Sequence, residues 1–295
     1  MANSLPVFLR LAAHPLRWRL LTELAAGDYR VRELVELVGQ PQNLVSYHLR
    51  LLRDGGLVTP RRSTHDARDS YYHLDLDRCA HALATTGAAL HPALHPALRP
   101  PGLDRSPASP PHEPGSHAPH AVPALSPSAR RPRVLFACTG NSARSPIAEA
   151  LLRHRTGGTV EAVSAGSHPR QRLHPDAVAV LHEHYGLDVR DRHPRHLDTV
   201  SGRRFDYVIS LCDRVREVFP HFPGNPRHLH WSIPDPAADP TTGSGAGQAA
   251  SAPATSAMPA ASAASATSAF ARTAAEIDTR IHYLLPILTS QEARS

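Results

Sequence analysis

The chain has 295 residues, 29 of them proline and 5% aromatic, and its formal net charge is +6. This length is enough for two ordinary domains, and the composition suggests that part of the chain does not fold. Three cysteines without a secretory leader argue against a disulfide scaffold, and no apolar run reaches the roughly 18–20 residues of a membrane helix. We therefore expect a cytoplasmic protein with reduced thiols and no membrane contact. All basic residues are arginine, which favours phosphate-bearing partners because guanidinium pairs with phosphate in a bidentate way.

Residues 1–90 predict a mainly α-helical winged helix-turn-helix. Amphipathic helices are predicted at 14–27, 31–39 and 41–56, and two strand-like runs around a charged turn occupy 57–76. Two short helices joined by a tight turn and followed by a hairpin are typical of this DNA-binding unit.

The third of these helices carries the side chains expected to read DNA. Its inward positions are Val45, Leu49 and Leu52. The other face offers Gln42, Asn43, Ser46, Tyr47 and Arg50. Glutamine and asparagine can read adenine edges, and arginine can read guanine or phosphate. The hairpin adds arginines that would lie over the DNA backbone, namely Arg61, Arg62 and Arg68.

This stretch resembles the ArsR family of winged-helix repressors in LAAHPLRWRLLTELAAG, in VSYHLRLLRDGGLV and in the hairpin ending SYYHLD. The resemblance implies a homodimer, formed partly by the terminal helices, that binds an inverted repeat in double-stranded DNA. Many metal-sensing members carry cysteines where this chain reads VRELVELVG. Cys79 stands apart from that helix; it is either half of a symmetrical soft-metalloid site or a small buried apolar residue. The alternative for the whole segment is a helical adaptor that does not contact DNA.

Two segments of biased composition interrupt the chain. Residues 91–130 are rich in proline, histidine and alanine, which predicts a disordered linker, although its histidines leave metal binding as an alternative. Residues 241–269 are nearly all alanine, serine, threonine, glycine and proline and predict a disordered insertion. Helical spacing of apolar residues then predicts a final helix at 270–288.

The segment RVLFACTGNSARSPIAEALLRHRT carries the strongest chemical signal of the sequence. A buried strand is predicted up to Ala137, and a helix from about Pro146. The loop between them has the pattern C-x5-R and would bind a tetrahedral oxyanion through Thr139, Gly140, Asn141, Ser142, Ala143, Arg144 and Ser145. Arg144 adds a cationic fork, and the same positive field is expected to lower the pKa of the Cys138 thiol, the candidate nucleophile.

The second half resembles the low-molecular-weight tyrosine phosphatase family and, within it, the arsenate reductases of the same fold. Besides the loop, the resemblance covers VSAGSHP, HPDAVAVLHEHYGLDV, FDYVISLCD and HWSIPDPA. It implies a doubly wound parallel α/β sheet over 131–290, with the site at the C-terminal end of the first strand. It also implies that Asp235 is the general acid, whereas the alternative is that Asp235-Pro236 only initiates a turn.

Both activities begin with attack of a thiolate on the oxyanion, and three positions favour the reductase. Ser142 and Ala237 stand where the phosphatases tend to have bulky or aromatic residues, and Cys212 matches the second, resolving cysteine of the reductases. Thioredoxin-linked reductases carry a third cysteine seven residues later, where this chain has Phe219. The alternatives are therefore direct reduction of a Cys138–Cys212 disulfide, or attack by a small thiol with Cys212 as a merely buried thiol.

The sequence thus predicts a DNA-binding regulator fused to an arsenate reductase. We expect no bound cofactor and no metal site. The reductant would be thioredoxin or a small thiol such as mycothiol. Two alternatives remain: a tyrosine phosphatase fused to a DNA-binding domain, and a transcription factor whose second half only senses arsenate or phosphate.

Overall fold

A computed structural model of the chain describes residues 5–63, 65, 66, 68–91, 94, 131–238 and 260–290, excepting the side chains of 260–268, 289 and 290. The described residues form two compact units. The first unit contains those up to 25, those at 31–60 and those from 73 to 94; the second contains 26–30, 61–72 and those from 131 onward. No described helix combines the length and hydropathy needed to cross a membrane.

The N-terminal part of the chain folds as the winged helix-turn-helix that its sequence predicts. Its elements are α1 (Val7–Ala12), α2 (Pro15–Ala26), β1 (Tyr29–Arg30), α3 (Val31–Val38), α4 (Gln42–Asp54), β2 (Val58–Arg62), β3 (Ser70–Leu74) and α5 (Leu76–Leu90). The strands form a sheet in the order β1–β3–β2. Pro41 is the N-cap of α4 and not its first helical residue, because its backbone is extended, with ψ of 142°.

The two faces of α4 are those that the apolar spacing predicts. Val45, Leu49 and Leu52 are fully buried. On the opposite face, Gln42, Asn43, Tyr47 and Arg50 are exposed and Ser46 is half-buried. The polar face is therefore open to a partner, as a recognition helix requires.

The second unit is built on a four-stranded parallel sheet, which confirms the predicted α/β class. Its strands are β4 (Arg133–Cys138), β5 (Glu161–Gly166), β6 (Tyr207–Ser210) and β7 (Arg227–His230), in the order β5–β4–β6–β7. In β4, Val134 to Ala137 are fully buried, as expected for a strand covered on both faces.

The α-helices that accompany this sheet in the described part of the chain are α6 (Arg144–Arg155), α7 (Pro175–Tyr185), α8 (Asp213–Arg216) and α9 (Ala260–Ser290). Helix α9 packs on α6 and α7, and the apolar side chains that recur at helical spacing, including Ala274, Ile277 and Ile281, are fully buried. The predicted start of this helix is wrong by ten residues, since α9 begins at Ala260. Alanine is the strongest helix former, so the alanine-rich end of the predicted insertion continues the helix. Residues 241–259, and the linker apart from 91 and 94, lie outside the described residues.

The strand order determines where a site can form. From β4 the chain passes first to β5 on one side and later to β6 on the other. The loops after β4 and β6 therefore diverge and leave a crevice at the carboxyl ends of these strands, where ligands bind in such folds. Cys138 ends β4, and Cys212 lies two residues after β6. The topology thus brings the two cysteines to the same edge of the sheet.

Candidate active site

The loop that joins Cys138 to Arg144 turns its carbonyl groups outward. Its bonds to the chain after β5 run from His168 N to Thr139 O (2.9 Å), from Arg170 N to Gly140 O (2.9 Å) and from His174 N to Ser142 O (2.8 Å). The N–H of a trans peptide points away from its C=O. The amide groups of the same peptide units therefore face the inside of the loop, next to the N-terminus of α6, where an anion is favoured.

Arg144 is a buried cation at the first turn of α6. Arg144 as a whole is 5% exposed to solvent. Nη1 donates to the carbonyl of Ile233 at 3.0 Å, and Nη2 donates to Asp235 Oδ2 at 3.0 Å. Nε has no hydrogen-bond partner among the described residues. A buried N–H without a partner costs free energy, so the site holds a donor ready for an anion.

Cys138 is buried beside a hydroxyl group. Its Sγ lies 3.0 Å from Ser145 Oγ. Burial raises the pKa of the Cys138 thiol, while Arg144 and the hydrogen bond with Ser145 lower it. The pKa is raised overall, so the predicted depression is wrong for this structure. The sequence indicates the cation and the helix N-terminus, but it does not indicate how completely the sulfur is removed from water.

Asn141 holds the loop in a backbone conformation that most residues avoid. Its φ is +44°, and its side chain accepts from Arg195 N at 2.8 Å and donates to Ser145 Oγ at 2.9 Å. Gly166 permits the close approach of β5 to this loop. A Cβ at Gly166 would lie 2.6 Å from the carbonyl oxygen of Thr139, so any side chain there would displace the loop.

Asp235 lies next to the loop from Cys138 to Ser145, the anion loop, and contacts its Arg144. Its side chain is 47% exposed and is held by Arg144. Oδ1 also accepts the N–H of Ala237 at 3.2 Å, so the turn expected of Asp-Pro is present together with the contact to the anion loop. The carboxyl group is thus both fixed and accessible to solvent.

The second cysteine of this unit faces the same pocket. Cys212 is 3% exposed, and its Sγ lies 3.3 Å from Thr139 Oγ1 in the anion loop. A pocket of about 1030 Å³ is lined by Cys138, Cys212, Arg144 and Asp235. Its further lining includes basic side chains, namely His168, Arg170, Arg172, His174 and Arg214. Most of its ionisable lining is therefore basic, which suits an anionic substrate.

The profile of the family described as "Low molecular weight phosphotyrosine protein phosphatase" matches residues 133–292. The chain belongs to this family. The loop, the parallel sheet and the final helix described above are the part of the chain that the match covers. The ArsR-like segment is also matched, since the profile described as "Bacterial regulatory protein, arsR family" covers residues 14–59.

Relatives of this phosphatase-family domain include proteins named arsenate reductase. That of Halalkalibacterium halodurans is 33% identical over 104 residues, which is 35% of this chain and 73% of the relative. That of Shouchella clausii is 34% identical over 106 residues, with the same two shares. A solved structure of a thioredoxin-dependent arsenate reductase from Corynebacterium glutamicum has 29% identity and a TM-score of 0.39, and covers 56% of this chain and 65% of that one.

The residues predicted to bind DNA have different surroundings. On α4, four of the five are exposed and Ser46 is half-buried. On the hairpin, Arg62 and Arg68 are exposed. Arg61, which belongs to the second unit, donates from Nη1 to Glu276 Oε1 at 3.0 Å and also contacts the carbonyl of Ser232. The guanidinium of Arg61 is therefore engaged, whereas those of Arg62 and Arg68 face solvent.

Sequence reasoning missed one group of residues at the site of this phosphatase-family domain. Glu149 is a buried carboxylate on α6, and it bonds to Ser164 and Arg192. A signal was present, because Glu149 interrupts the apolar run around Ile147, Ala148, Ala150 and Leu151, and a charge on a buried helix face needs a specific partner.

Proposed function

We propose that the second unit is a thiol-dependent arsenate reductase. The Cys138 thiolate attacks arsenate held by the loop from Cys138 to Ser145, and Asp235 protonates the oxygen that leaves as water. This step forms a Cys138–arsenic bond without changing the oxidation state of arsenic. A second thiol then attacks the sulfur of Cys138, and the electron pair of the sulfur–arsenic bond passes to arsenic. Arsenite leaves, arsenic is reduced from As(V) to As(III), and the two thiols become a disulfide.

The observation that carries the proposal is the unpartnered Nε of Arg144. A buried guanidinium supplies charge and a free donor beside inward-facing amide groups. A tetrahedral dianion uses all of these donors together, whereas a neutral substrate leaves the charge of Arg144 uncompensated apart from Asp235. Arsenate and phosphate share this shape and charge, so the geometry supports oxyanion chemistry and the second thiol distinguishes the two outcomes.

Cys212 supports the reductase over the phosphatase. Two buried thiols line one pocket, whereas hydrolysis of a phosphocysteine uses water and requires no second thiol. The position of a third shuttle cysteine is taken by Phe219, whose ring packs against Phe222 and His228 at centroid distances of 6.2 and 5.8 Å. We infer that an external thiol, from thioredoxin or a small molecule such as mycothiol, completes the cycle.

The proposal is tested by assaying the full chain with arsenate in three reducing systems: thioredoxin with its reductase, glutaredoxin with glutathione, and mycothiol with its redoxin. Arsenite production in any of them supports the reductase. A parallel assay with para-nitrophenyl phosphate tests the alternative, a phosphatase. Rapid phosphate ester hydrolysis with no arsenite in any system would replace the reductase with a phosphatase.

Substitution Cys212→Ser is expected to separate the two routes of reduction. If Cys212 resolves the adduct, thioredoxin-supported turnover falls by at least about 100-fold, because no internal disulfide can form. Single-turnover arsenite release without added thiol, measured by arsenic speciation, is lost as well. Cys79→Ser, which changes a thiol of α5 in the first unit, is the matched control and should leave both readouts unchanged. Unaltered turnover in Cys212→Ser would mean that the external thiol, and not Cys212, attacks the Cys138 adduct.

We also propose that the first unit binds double-stranded DNA as a homodimer through α4. Arg50→Ala is expected to weaken binding by about 1–3 kcal/mol, since it removes a base or phosphate contact. Arg53→Ala is the control, because Arg53 is already paired with Asp54 at 2.9 Å at the end of the same helix. Fluorescence anisotropy with an operator selected from random duplexes measures both. Equal affinity of Arg50→Ala and the wild type would exclude α4 as the reading helix.

A further inference from the structure

Three arginines that line the pocket of the second unit carry charges that no acidic side chain balances. Arg170 and Arg172 follow β5, and Arg214 lies in α8. All three are exposed, and no hydrogen bond or ion pair of their guanidinium groups is found within the described part of the chain. Other exposed arginines of this unit do pair, as Arg190 does with Asp188. The three pocket arginines are therefore available to a ligand.

The strand order places the pocket arginines on both sides of the candidate nucleophile. Strands β5 and β6 flank β4, at whose end Cys138 lies. Arg170 and Arg172 come from the β5 side, and Arg214 comes from the β6 side. Arg170 also packs on the anion loop, since its N–H donates to Gly140 O at 2.9 Å and a Cβ at Gly140 would lie 3.3 Å from Arg170 Cγ. A ligand that brings an atom to Cys138 Sγ therefore lies among these cations.

The pocket offers more room and more positive charge than an oxyanion uses. Its volume of about 1030 Å³ is large enough for a drug-sized ligand, whereas arsenate needs only the anion loop. Asp235 is the carboxylate among the described residues that line the pocket, and it is bonded to Arg144. The charges of the pocket arginines thus stay uncompensated. The space outside the anion loop suits a second anionic group.

We propose that the pocket arginines bind the reducing cosubstrate, a small thiol that bears carboxylate groups and a net negative charge. The inference rests on the proposed function and deepens it by naming the class of reductant. Cys138 is 2% exposed, so the attacking sulfur must enter the pocket, which a small molecule does more easily than a folded redox protein. Guanidinium pairs with carboxylate through two parallel hydrogen bonds. A thiol without net charge, such as mycothiol, gains nothing from these cations.

The bound thiolate attacks the sulfur of Cys138 in the arsenic adduct. A sulfur–sulfur bond forms, the sulfur–arsenic bond breaks, and its electron pair passes to arsenic, which leaves as arsenite. A second molecule of the thiol attacks the cosubstrate sulfur of this mixed disulfide, which releases the Cys138 thiolate and the cosubstrate as its own disulfide. Where Cys212 has attacked the adduct first, the cosubstrate attacks the same sulfur of Cys138 in the internal disulfide, and the Cys212 thiolate leaves. Both routes place the cosubstrate on Cys138.

The test forms this mixed disulfide from the opposite direction and without any oxyanion. The reduced full chain is mixed either with glutathione disulfide, whose carboxylates outnumber its ammonium groups, or with its full ethyl ester, which keeps only the ammonium groups. In each case the Cys138 thiolate joins one half of the reagent and releases the other half as a thiolate. Peptide mass spectrometry gives the rate at Cys138 alone. The ratio of the two rates reports charge selectivity, and any change in the pKa of Cys138 cancels from it.

A variant that combines Arg170→Gln, Arg172→Gln and Arg214→Gln should lower this ratio by about tenfold, or about twofold for each charge removed. The glutathione disulfide reaction should slow, because its carboxylates lose their partners. The reaction of the ester should not slow, because its positive charge is no longer repelled. Thermal melting checks that the variant is folded.

The matched control combines Arg190→Gln, Arg204→Gln and Arg227→Gln. It removes the same number of charges from exposed arginines of the second unit that do not line the pocket. The ratio should stay within about twofold of the wild type, since charges separated by more than a Debye length are screened.

A wild-type ratio in the pocket variant would overturn the proposal. An equal fall in the control variant would also overturn it, because net charge and not a site would then select the anion. In arsenate turnover supported by glutathione, the pocket variant should raise the KM for the thiol by about tenfold. Absence of arsenite in every reducing system would reject the reductase, while the exchange ratio would still report whether the pocket selects an anionic thiol, so the two failures are distinguishable.

Discussion

Cys138→Ser should lower arsenate turnover by about 10⁴-fold or more, because a serine hydroxyl is not ionised near neutral pH and cannot form the covalent adduct. Anion binding should survive, since the loop amides and Arg144 are unchanged. Arsenite production measures the first effect, and calorimetric titration with inorganic phosphate measures the second. Loss of both together would indicate a damaged loop and not a missing nucleophile.

Cys79→Ser is the control for this substitution. Burial, and to a smaller extent Asp75, raises the pKa of the Cys79 thiol to about 11, so this cysteine carries little thiolate near neutral pH. We expect full turnover in Cys79→Ser. Turnover in Cys138→Ser above about 1% of the wild type would mean that another group begins the reaction.

The pH dependence of wild-type turnover follows from the same sulfur. The thiolate is the reactive form, and burial raises the pKa of Cys138 in the absence of an oxyanion. The thiolate fraction is therefore small below this pKa and grows as the pH rises through it. The value of kcat/KM, which reports the free enzyme, should accordingly increase from neutral toward alkaline pH.

The sequence predicts the architecture of this site better than its electrostatics. Strand, loop and helix follow from a buried apolar run, a C-x5-R loop and a helical pattern, and the topology then brings Cys212 and Asp235 to one pocket. These features depend on residue type and spacing, which are local. The pKa of Cys138 depends on exclusion of water by the whole fold, and spacing does not report that.

Glu149 illustrates the same limit. Its position on α6 can be read from the helical period, but its partners come from β5 and from the segment after α7, 15 and 43 residues away. Without an alignment, a pairing between such distant residues has no local signature. The start of α9 has a different cause, because the composition of 260–269 is compatible both with an insertion and with a helix, and packing decides between them.

Asp235→Asn is expected to lower kcat for arsenate by about 10²–10⁴-fold, with a much smaller change in KM. Asparagine keeps an oxygen that can accept from Arg144 Nη2, as Asp235 does at 3.0 Å, so the loop and the anion site should stay in place. The proton for the leaving oxygen is the one thing lost. Attack by Cys138 must then expel hydroxide, a far poorer leaving group than water.

Two measurements separate this role of Asp235 from a structural one. Alkylation of Cys138 without oxyanion should match the wild type in Asp235→Asn, because the nucleophile is intact. Asp188→Asn, which removes an exposed carboxyl group paired with Arg190, should change neither kcat nor alkylation. If Asp235→Asn loses less than about threefold in kcat, the acid must be another group lining the pocket, where His168 and His174 are the imidazole side chains. The Asp-Pro sequence would then serve only the turn that Ala237 closes.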